Sequence, residues 1–456
     1  MNAKKKIIYL KRKFDAILRN WKSREDRLPL IVKGARQVGK TESIRHFAAA
    51  HYENVVEINF AERPEFKVVI RDGYSVESII RNVSVVDPSL KLIAGRTLIF
   101  FDEIQDFPEI CTAFKFFAQD GRFDVIASGS LLGVHYKRIE SISVGYQETE
   151  TLRSMDFEEF LWAKGYSETQ IEGFLDPIAD GRAFSDAVAL TMDGCFMDYC
   201  VLGGMPDVLE SYFVKHSFEG VHRIQRRILS DYRADIRKYC EGLDPERILS
   251  VFDSIPAQLA KENKKFQWNV IGSGVTRKDY WGCVEWLVDA GVVNMCKRMD
   301  IPELPIGGHL QSDFYKLYLS DTGLLMAQLD EESQEDIRVR RDLGTWKGGF
   351  FENVVSEALV KSGYPLAYYK RDSSTLEMDF FVRSGDWLVP IEVKAGNNQA
   401  KSLKTLISSA AYKNIGWGVK LVKGNVGWVN HVLTLPQWSA FLLRKILALY
   451  PASSRA

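Results

Sequence analysis

The segment LPLIVKGARQVGKTESIRHFAAA, residues 28–50, leaves the chain little choice of fold. Leu30–Lys33 reads as a strand, and Ile44, Phe47 and Ala48 share one face of the helical pattern that follows. Between them stands a Gly-x4-Gly-Lys-Thr turn, Gly34 to Thr41. Its glycines let the backbone curl so that successive N–H groups point inward, and the helix start adds a partial positive charge. A turn of this kind is built for phosphate. The expected nucleotide contacts are Gly34, Ala35, Arg36, Gln37, Val38, Gly39, Lys40, Thr41 and Glu42. Lys40 is expected to act on the β- and γ-phosphates and Thr41 to hold Mg²⁺.

A second strand-like run, TLIFFDEIQ, ends in Asp102 and Glu103. Carboxylates at the C-terminal end of a parallel strand point into the crevice where ligands bind. Asp102 is expected in the Mg²⁺ shell and Glu103 as the base that polarises the attacking water. A third run, FDVIASGS, ends in Ser128 and Ser130. They either contact the γ-phosphate and orient the water, or cap the next helix; the spacing does not choose. With Val55–Phe60 and Glu148–Leu152, these runs alternate with helical patterns, which predicts an α/β domain with a parallel sheet over 1–152.

The chain of 456 residues exceeds one hydrophobic core and predicts further domains. Residues 153–245 look helical, broken by GGMP at 203–206. Residues 246–340 mix helices and short strands, with PELPIGGHLQSD (302–313) and GTWKGG (344–349) reading as loops. Lys+Arg and Asp+Glu are equal at 60 each, so no global field draws the chain to nucleic acid or membrane. Six cysteines without a CxxC pair argue against a disulfide framework or zinc site and for a reducing cytoplasm. The basic N-terminus has too short an apolar run for a signal peptide, and nothing is long enough to span a membrane.

In TRKDYWGCVEWLVDAGVVNMC (276–296), Tyr280, Val284, Leu287 and Val288 fall at helical spacing before a β-branched run. With the preceding helix this is a winged-helix pattern, either a DNA contact led by Arg277 and Lys278 or a packing module. The low count of exposed basic residues favours packing, and KENKK (261–265) adds some positive charge, too little to settle it.

The last segment, 341–456, carries a second candidate site. Glu392-x-Lys394 closes the apolar run WLVPIEV, whereas the same spacing at Glu65–Lys67 and Glu262–Lys264 follows no strand. EMDFFV (377–382) precedes it across the turn RSGDW, so a hairpin is expected to bring Asp379 beside Glu392. Upstream, GFFENVVSEALVKSG reads as an amphipathic helix burying Phe351, Val354, Val355, Ala358 and Leu359, with Glu352 at the edge of that stripe. Close carboxylates repel unless a cation sits between them, so Asp379, Glu392 and the Ile391–Val393 backbone are expected to offer oxygens to Mg²⁺, with Glu352 able to lean over the same hairpin. Lys394 would orient a metal-activated water or steady phosphate charge, a phosphodiester-cleaving arrangement. The competing reading is a solvated hairpin whose Glu and Lys merely pair.

At the phosphate loop and the Asp102-Glu103 strand the chain resembles AAA-type P-loop ATPases. The resemblance implies a loop strand flanked by the others, a helical lid, Mg²⁺-dependent ATP hydrolysis and an arginine, often from a neighbouring subunit. Arg223, Arg226, Arg227, Arg233 and Arg237 are candidates, though a solvated helix face with an Arg227–Asp231 pair explains them as well. FFENVVSEAL, EMDFFV and PIEVKAG are similar to the restriction-endonuclease-like domain of the PD-(D/E)xK superfamily that ends many bacterial and archaeal ATPases. GARQVGKT, FFDEIQ, MDFEEFL, GGMP and LYLSDTGLL occur in that order in those proteins. Here EMD replaces the PD dipeptide, which costs no ligand. The resemblance implies that Glu352, Asp379, Glu392 and Lys394 fill the nuclease positions. ATP and Mg²⁺ are the expected cofactors; DNA and further copies of this chain are candidate partners. The alternative is a nucleotide-set switch with negligible turnover whose last domain only binds nucleic acid or protein.

Overall fold

The structure, a computed structural model, describes residues 8–130, 145–240, 242–262, 264–341, 344–372, 374–396 and 400–450. Asn263 of KENKK and the first seven residues lie outside them. The chain forms two compact units. One runs through Met155 and takes in Asp289–Gly291; the other comprises Asp156–Val288 and Val292 onward.

The first unit is built on five strands: β1 Leu30–Lys33, β2 Asn54–Asn59, β3 Thr97–Asp102, β4 Asp124–Gly129 and β5 Glu148–Thr151. All are parallel, in the order β2-β3-β4-β1-β5. Every residue of β3 is buried, as a parallel strand covered on both faces must be. Phe60, Phe101, Phe114 and Phe117 pack together on one face, each contributing roughly 1.5–3 kcal/mol on burial. Register sets Asn59 beside Asp102 and Val32 beside Ser128, so the C-terminal ends of β1, β2, β3 and β4 line one edge.

In the second unit, β6 Val293–Met299, β7 Leu310–Leu319, β8 Ala367–Lys370 and β9 Glu377–Met378 form a sheet in the order β7-β6-β8-β9. β10 Phe380–Ser384, β11 Trp387–Val393, β12 Gly418–Val422, β13 Gly427–Val429 and β14 Val432–Pro436 form another, in the order β10-β11-β12-β14-β13. The expected boundary at residue 340 thus runs through a shared sheet, because β6 pairs with β8. Two helices, Pro245–Leu259 and Arg277–Asp289, precede the antiparallel pair β6–β7. Two segments expected as loops are regular. Leu310–Asp313 begin β7, held by Met299 opposite Leu310. Thr345–Gly349 open the helix Thr345–Lys361, where a Cβ on Gly349 would lie 2.2 Å from the Leu259 carbonyl oxygen. That glycine serves close helix approach rather than a turn. After the helix Lys401–Ser408 come the three strands β12, β13 and β14.

The helix Thr345–Lys361 is not amphipathic. It is buried continuously from Phe350 to Leu359, polar residues included. Buried polar groups persist only when bonded. The Asn353 amide accepts from Leu319 N–H at 2.8 Å and donates to the Leu319 carbonyl at 3.2 Å. Glu357 accepts from the Tyr199 hydroxyl at 2.6 Å, Thr322 N–H at 2.8 Å and Lys361 Nζ at 2.6 Å. GGMP and SDTG meet here as well: Asp321 accepts from Gly204 N–H and Gly323 N–H, each at 2.8 Å. Gly203, at φ 70°, has room for no side chain, since a Cβ would lie 2.4 Å from Gly323 N. Gly203→Ala is expected to cost about 1–3 kcal/mol of stability through this overpacking, read as a lower urea midpoint at unchanged m.

All six cysteines are free thiols. Among the described residues no helix is long and apolar enough to cross a membrane.

Candidate functional site

The phosphate loop leaves β1 at Gly34, where a Cβ would lie 2.1 Å from the Leu152 carbonyl oxygen. Only glycine lets the loop pass beside the chain that leaves β5. The loop ends at Gly39, in the left-handed region, and the helix Lys40–His51 starts there, its first N–H groups facing the loop. Lys40 is buried, and its ammonium donates to the carbonyl oxygens of Gly34 at 3.0 Å and Ala35 at 2.9 Å. A cation held against loop carbonyls is positioned for phosphate oxygens that compete for it.

Asp102 gathers the neighbouring strand ends. Its Oδ2 accepts from Thr41 Oγ1 at 3.1 Å and Asn59 Nδ2 at 3.3 Å, and its Oδ1 accepts a short bond from Ser128 Oγ. Burial pushes the Asp102 carboxyl above its usual range and the Glu103 charge adds to this; the Ser128 and Thr41 hydroxyls oppose it. Ser128 therefore meets the carboxylate that ends β3. Glu103 holds a left-handed backbone at φ 54° and accepts a short bond from Gln105 Nε2. Such a conformation is costly for a non-glycine residue and is common at functional sites.

Arg12, Asn59 and Gln105 were not legible as site residues. Asn59 ends β2 as Asp102 ends β3, a signal that strand alignment could have supplied. Arg12 is buried, donating to the Val38 carbonyl at 2.9 Å and the Arg153 carbonyl at 2.6 Å. It thereby ties the phosphate loop to the chain beyond β5. Arg12→Ala is expected to cost about 1.5–3 kcal/mol of stability, from lost charged hydrogen bonds, and to weaken ATP binding; melting curves and nucleotide titration check both.

The arginine candidates of the helix Val221–Tyr239 are mostly paired. Arg227 reaches Asp207 at 2.6 Å, on the preceding helix rather than one turn along its own; Arg233 meets Asp253 at 2.7 Å and Arg237 meets Glu246 at 3.3 Å. Arg223 and Arg226 are exposed. Of the basic pair opening the helix Arg277–Asp289, Lys278 is exposed. Arg277 is ion-paired to Asp313 and stacks on Trp281, which leaves less charge for a DNA contact.

In the C-terminal segment β10 and β11 pair antiparallel, with Phe380 opposite Ile391 at the end nearest Asp379 and Glu392. Asp379 stands where the chain passes from one sheet to the other, and its Oδ2 accepts from Val393 N–H at 2.8 Å. Glu392 Oε1 meets Lys394 Nζ at 2.6 Å and its Oε2 accepts from Leu403 N–H at 3.4 Å. Glu352 is buried; its Oε1 lies 2.6 Å from Lys264 Nζ, and its Oε2 accepts from the Tyr318 hydroxyl at 3.0 Å and lies 3.5 Å from Lys316 Nζ. Lys316 also meets Glu377 at 2.9 Å. Among the described residues no three His, Cys, Asp or Glu are placed to hold a metal ion.

Burial works to raise Glu352, but Lys316 and Lys264 hold it below its usual range. Burial and then the Glu352 charge push Asp379 up to about 7, against Lys316, Lys264 and the Val393 N–H. A carboxyl raised above its unfolded value binds a proton the unfolded chain lacks, so its contribution to stability falls as pH rises from about 4 to 7. Asp379→Asn is therefore expected to stabilise the fold at pH 8, with the gain vanishing toward pH 4; denaturant melts across that range check it.

Residues 26–161 match the family described as AAA domain. Residues 195–335 and 347–438 match two families, each described as a domain of unknown function (DUF8612 and DUF4143). No curated protein sequence matches the chain. Solved structures that resemble it include the Walker-type ATPase PABY2304 of Pyrococcus abyssi, 15% identical over 70% of this chain and 96% of that one, at a TM-score of 0.43. The Aeropyrum pernix Orc1 protein in complex with DNA is 13% identical over 72% and 91%, at 0.29. Cdc6p from Pyrobaculum aerophilum is 11% identical over 73% and 96%, at 0.26. The last two superpose too loosely to assign a role to any residue here, and the first adds none. The parallel sheet, the loop ending at Gly39 and the family match define residues 26–161 as an AAA-type P-loop ATPase domain.

Proposed function

We propose that this chain binds and hydrolyses ATP with Mg²⁺ in the cytoplasm and that the nucleotide state governs a DNA-directed C-terminal domain. The observation that carries the reading is the convergence of Thr41, Asn59 and Ser128 on Asp102 at the strand ends beside the phosphate loop. The donor set fits Mg²⁺: a hydroxyl and a carboxylate oxygen 3.1 Å apart are hard ligands, and a cation would relieve the burial cost of the Asp102 charge. Thr41 and Asp102 would hold the ion, which supplies charge to the β- and γ-phosphate oxygens when bound. Residues Gly34 to Glu42 cradle the phosphates through backbone N–H groups, and Lys40 moves from loop carbonyls to phosphate oxygens. Glu103 takes the proton of the attacking water. Phosphate release from ATP, with and without EDTA, tests this; release unaffected by EDTA would refute it.

A second reading, the slow nucleotide switch, is favoured by the bond from Gln105 to Glu103, which occupies the base. Retained nucleotide with no turnover supports it. The DNA-directed output rests on the Asp379–Glu392 hairpin and its resemblance to nuclease domains. Anisotropy of a labelled duplex is expected to differ between ATP and ADP; equal affinities in both states would remove it. Exposed Arg223 and Arg226 are the candidates for an arginine shared between copies of the chain.

A further inference from the structure

We infer that the acidic pocket of the C-terminal domain is filled by two side-chain cations, Lys316 and Lys264, and does not take the divalent metal that its nuclease-like layout implies.

Both Glu352 oxygens are engaged, one by Lys264 at 2.6 Å, the other by the Tyr318 hydroxyl at 3.0 Å with Lys316 at 3.5 Å. Glu392 gives one oxygen to Lys394 at 2.6 Å, and Asp379 gives one to Val393 N–H at 2.8 Å. Lys316 is no surface residue that could swing aside. It is buried on β7, with Glu377 at 2.9 Å and the Tyr368 ring beneath its ammonium at 4.8 Å. Burial works to neutralise Lys316, yet Glu352 and Glu377 hold it charged. Mg²⁺ demands about six oxygens at roughly 2.0–2.1 Å in octahedral array, several of them water. An ammonium bonded to the same carboxylate takes a ligand away and repels the ion, and the low-dielectric surroundings magnify that repulsion.

The lysines answer the question that the paired carboxylates raise: close acids need a cation between them, and this chain supplies it from within. Lys316 of β7 ties Glu352 of the helix Thr345–Lys361 to Glu377 of β9, and Lys264 adds a second ion pair to Glu352. With no metal in the pocket, no metal-activated water is available there for phosphodiester cleavage.

The test uses the full chain with Asp102→Asn, which removes the metal ligand of the nucleotide site, without nucleotide, and follows free Mn²⁺ by electron paramagnetic resonance. With Lys264 and Lys316 intact, no Mn²⁺ binding that Asp379→Asn abolishes is expected. Lys264→Ala, at the pocket edge, is expected to gain one Mn²⁺ that a further Asp379→Asn removes; Lys316→Gln is a second route to the same gain. Thermal melting establishes which variants fold. Mn²⁺ bound by the intact pocket and lost in Asp379→Asn overturns the inference, as does a folded Lys264→Ala that gains no site. ATP turnover is measured separately in the chain with Asp102 restored, so failure here leaves the ATPase reading standing, and the reverse.

Discussion

Glu103→Gln is expected to lower ATP turnover by about 10²–10⁴-fold while leaving ATP affinity near that of the wild type. Glutamine keeps the size of Glu103 and its polarity toward Gln105 but cannot accept the proton of the attacking water. Lys40→Ala is expected to abolish hydrolysis differently, by losing the ammonium that Gly34 and Ala35 now hold, so nucleotide affinity falls with it. Calorimetry with ATP and single-turnover phosphate release separate the two. Turnover equal to wild type in both variants would sink the ATPase reading.

The largest stability effect is expected at Lys316. Lys316→Met removes the cation shared by Glu352 and Glu377 and leaves buried carboxylate charge uncompensated, at a cost of about 3–5 kcal/mol. Removing the charge it serves should recover part of that cost. Lys316→Met with Glu352→Gln is expected to be more stable than Lys316→Met alone, and urea melts of both variants decide it. If both single and double variants melt with the wild type, the ion pairs contribute nothing to the fold.

Much of the nucleotide site was readable because its information is local. Gly34, Gly39, Lys40 and Thr41 stand within one loop, and the strand before it and the helix after it are set by adjacent residues. Asp102 stood out because it closes a buried strand, and β3, β4 and β1 end along one edge. The β10–β11 hairpin was readable for the same kind of reason: a tight turn between two alternating runs leaves few registers. The helix Thr345–Lys361 misled because periodicity reports the apolar stripe alone. Glu352, Asn353 and Glu357 look like a solvent face until Lys316, Leu319 and Tyr199 are brought against them.

An AAA-type phosphate loop with its acidic strand follows from the residues alone, since backbone curl, helix dipole and strand end are short-range properties. Which groups the buried cations meet is a long-range outcome of packing. Arg12 reaches a carbonyl 141 residues away and Lys264 a carboxylate 88 residues away. A charge does not encode its partner: the pairing follows from which strands and helices the hydrophobic core brings together, and only there does an exposed-looking lysine become a buried counter-ion.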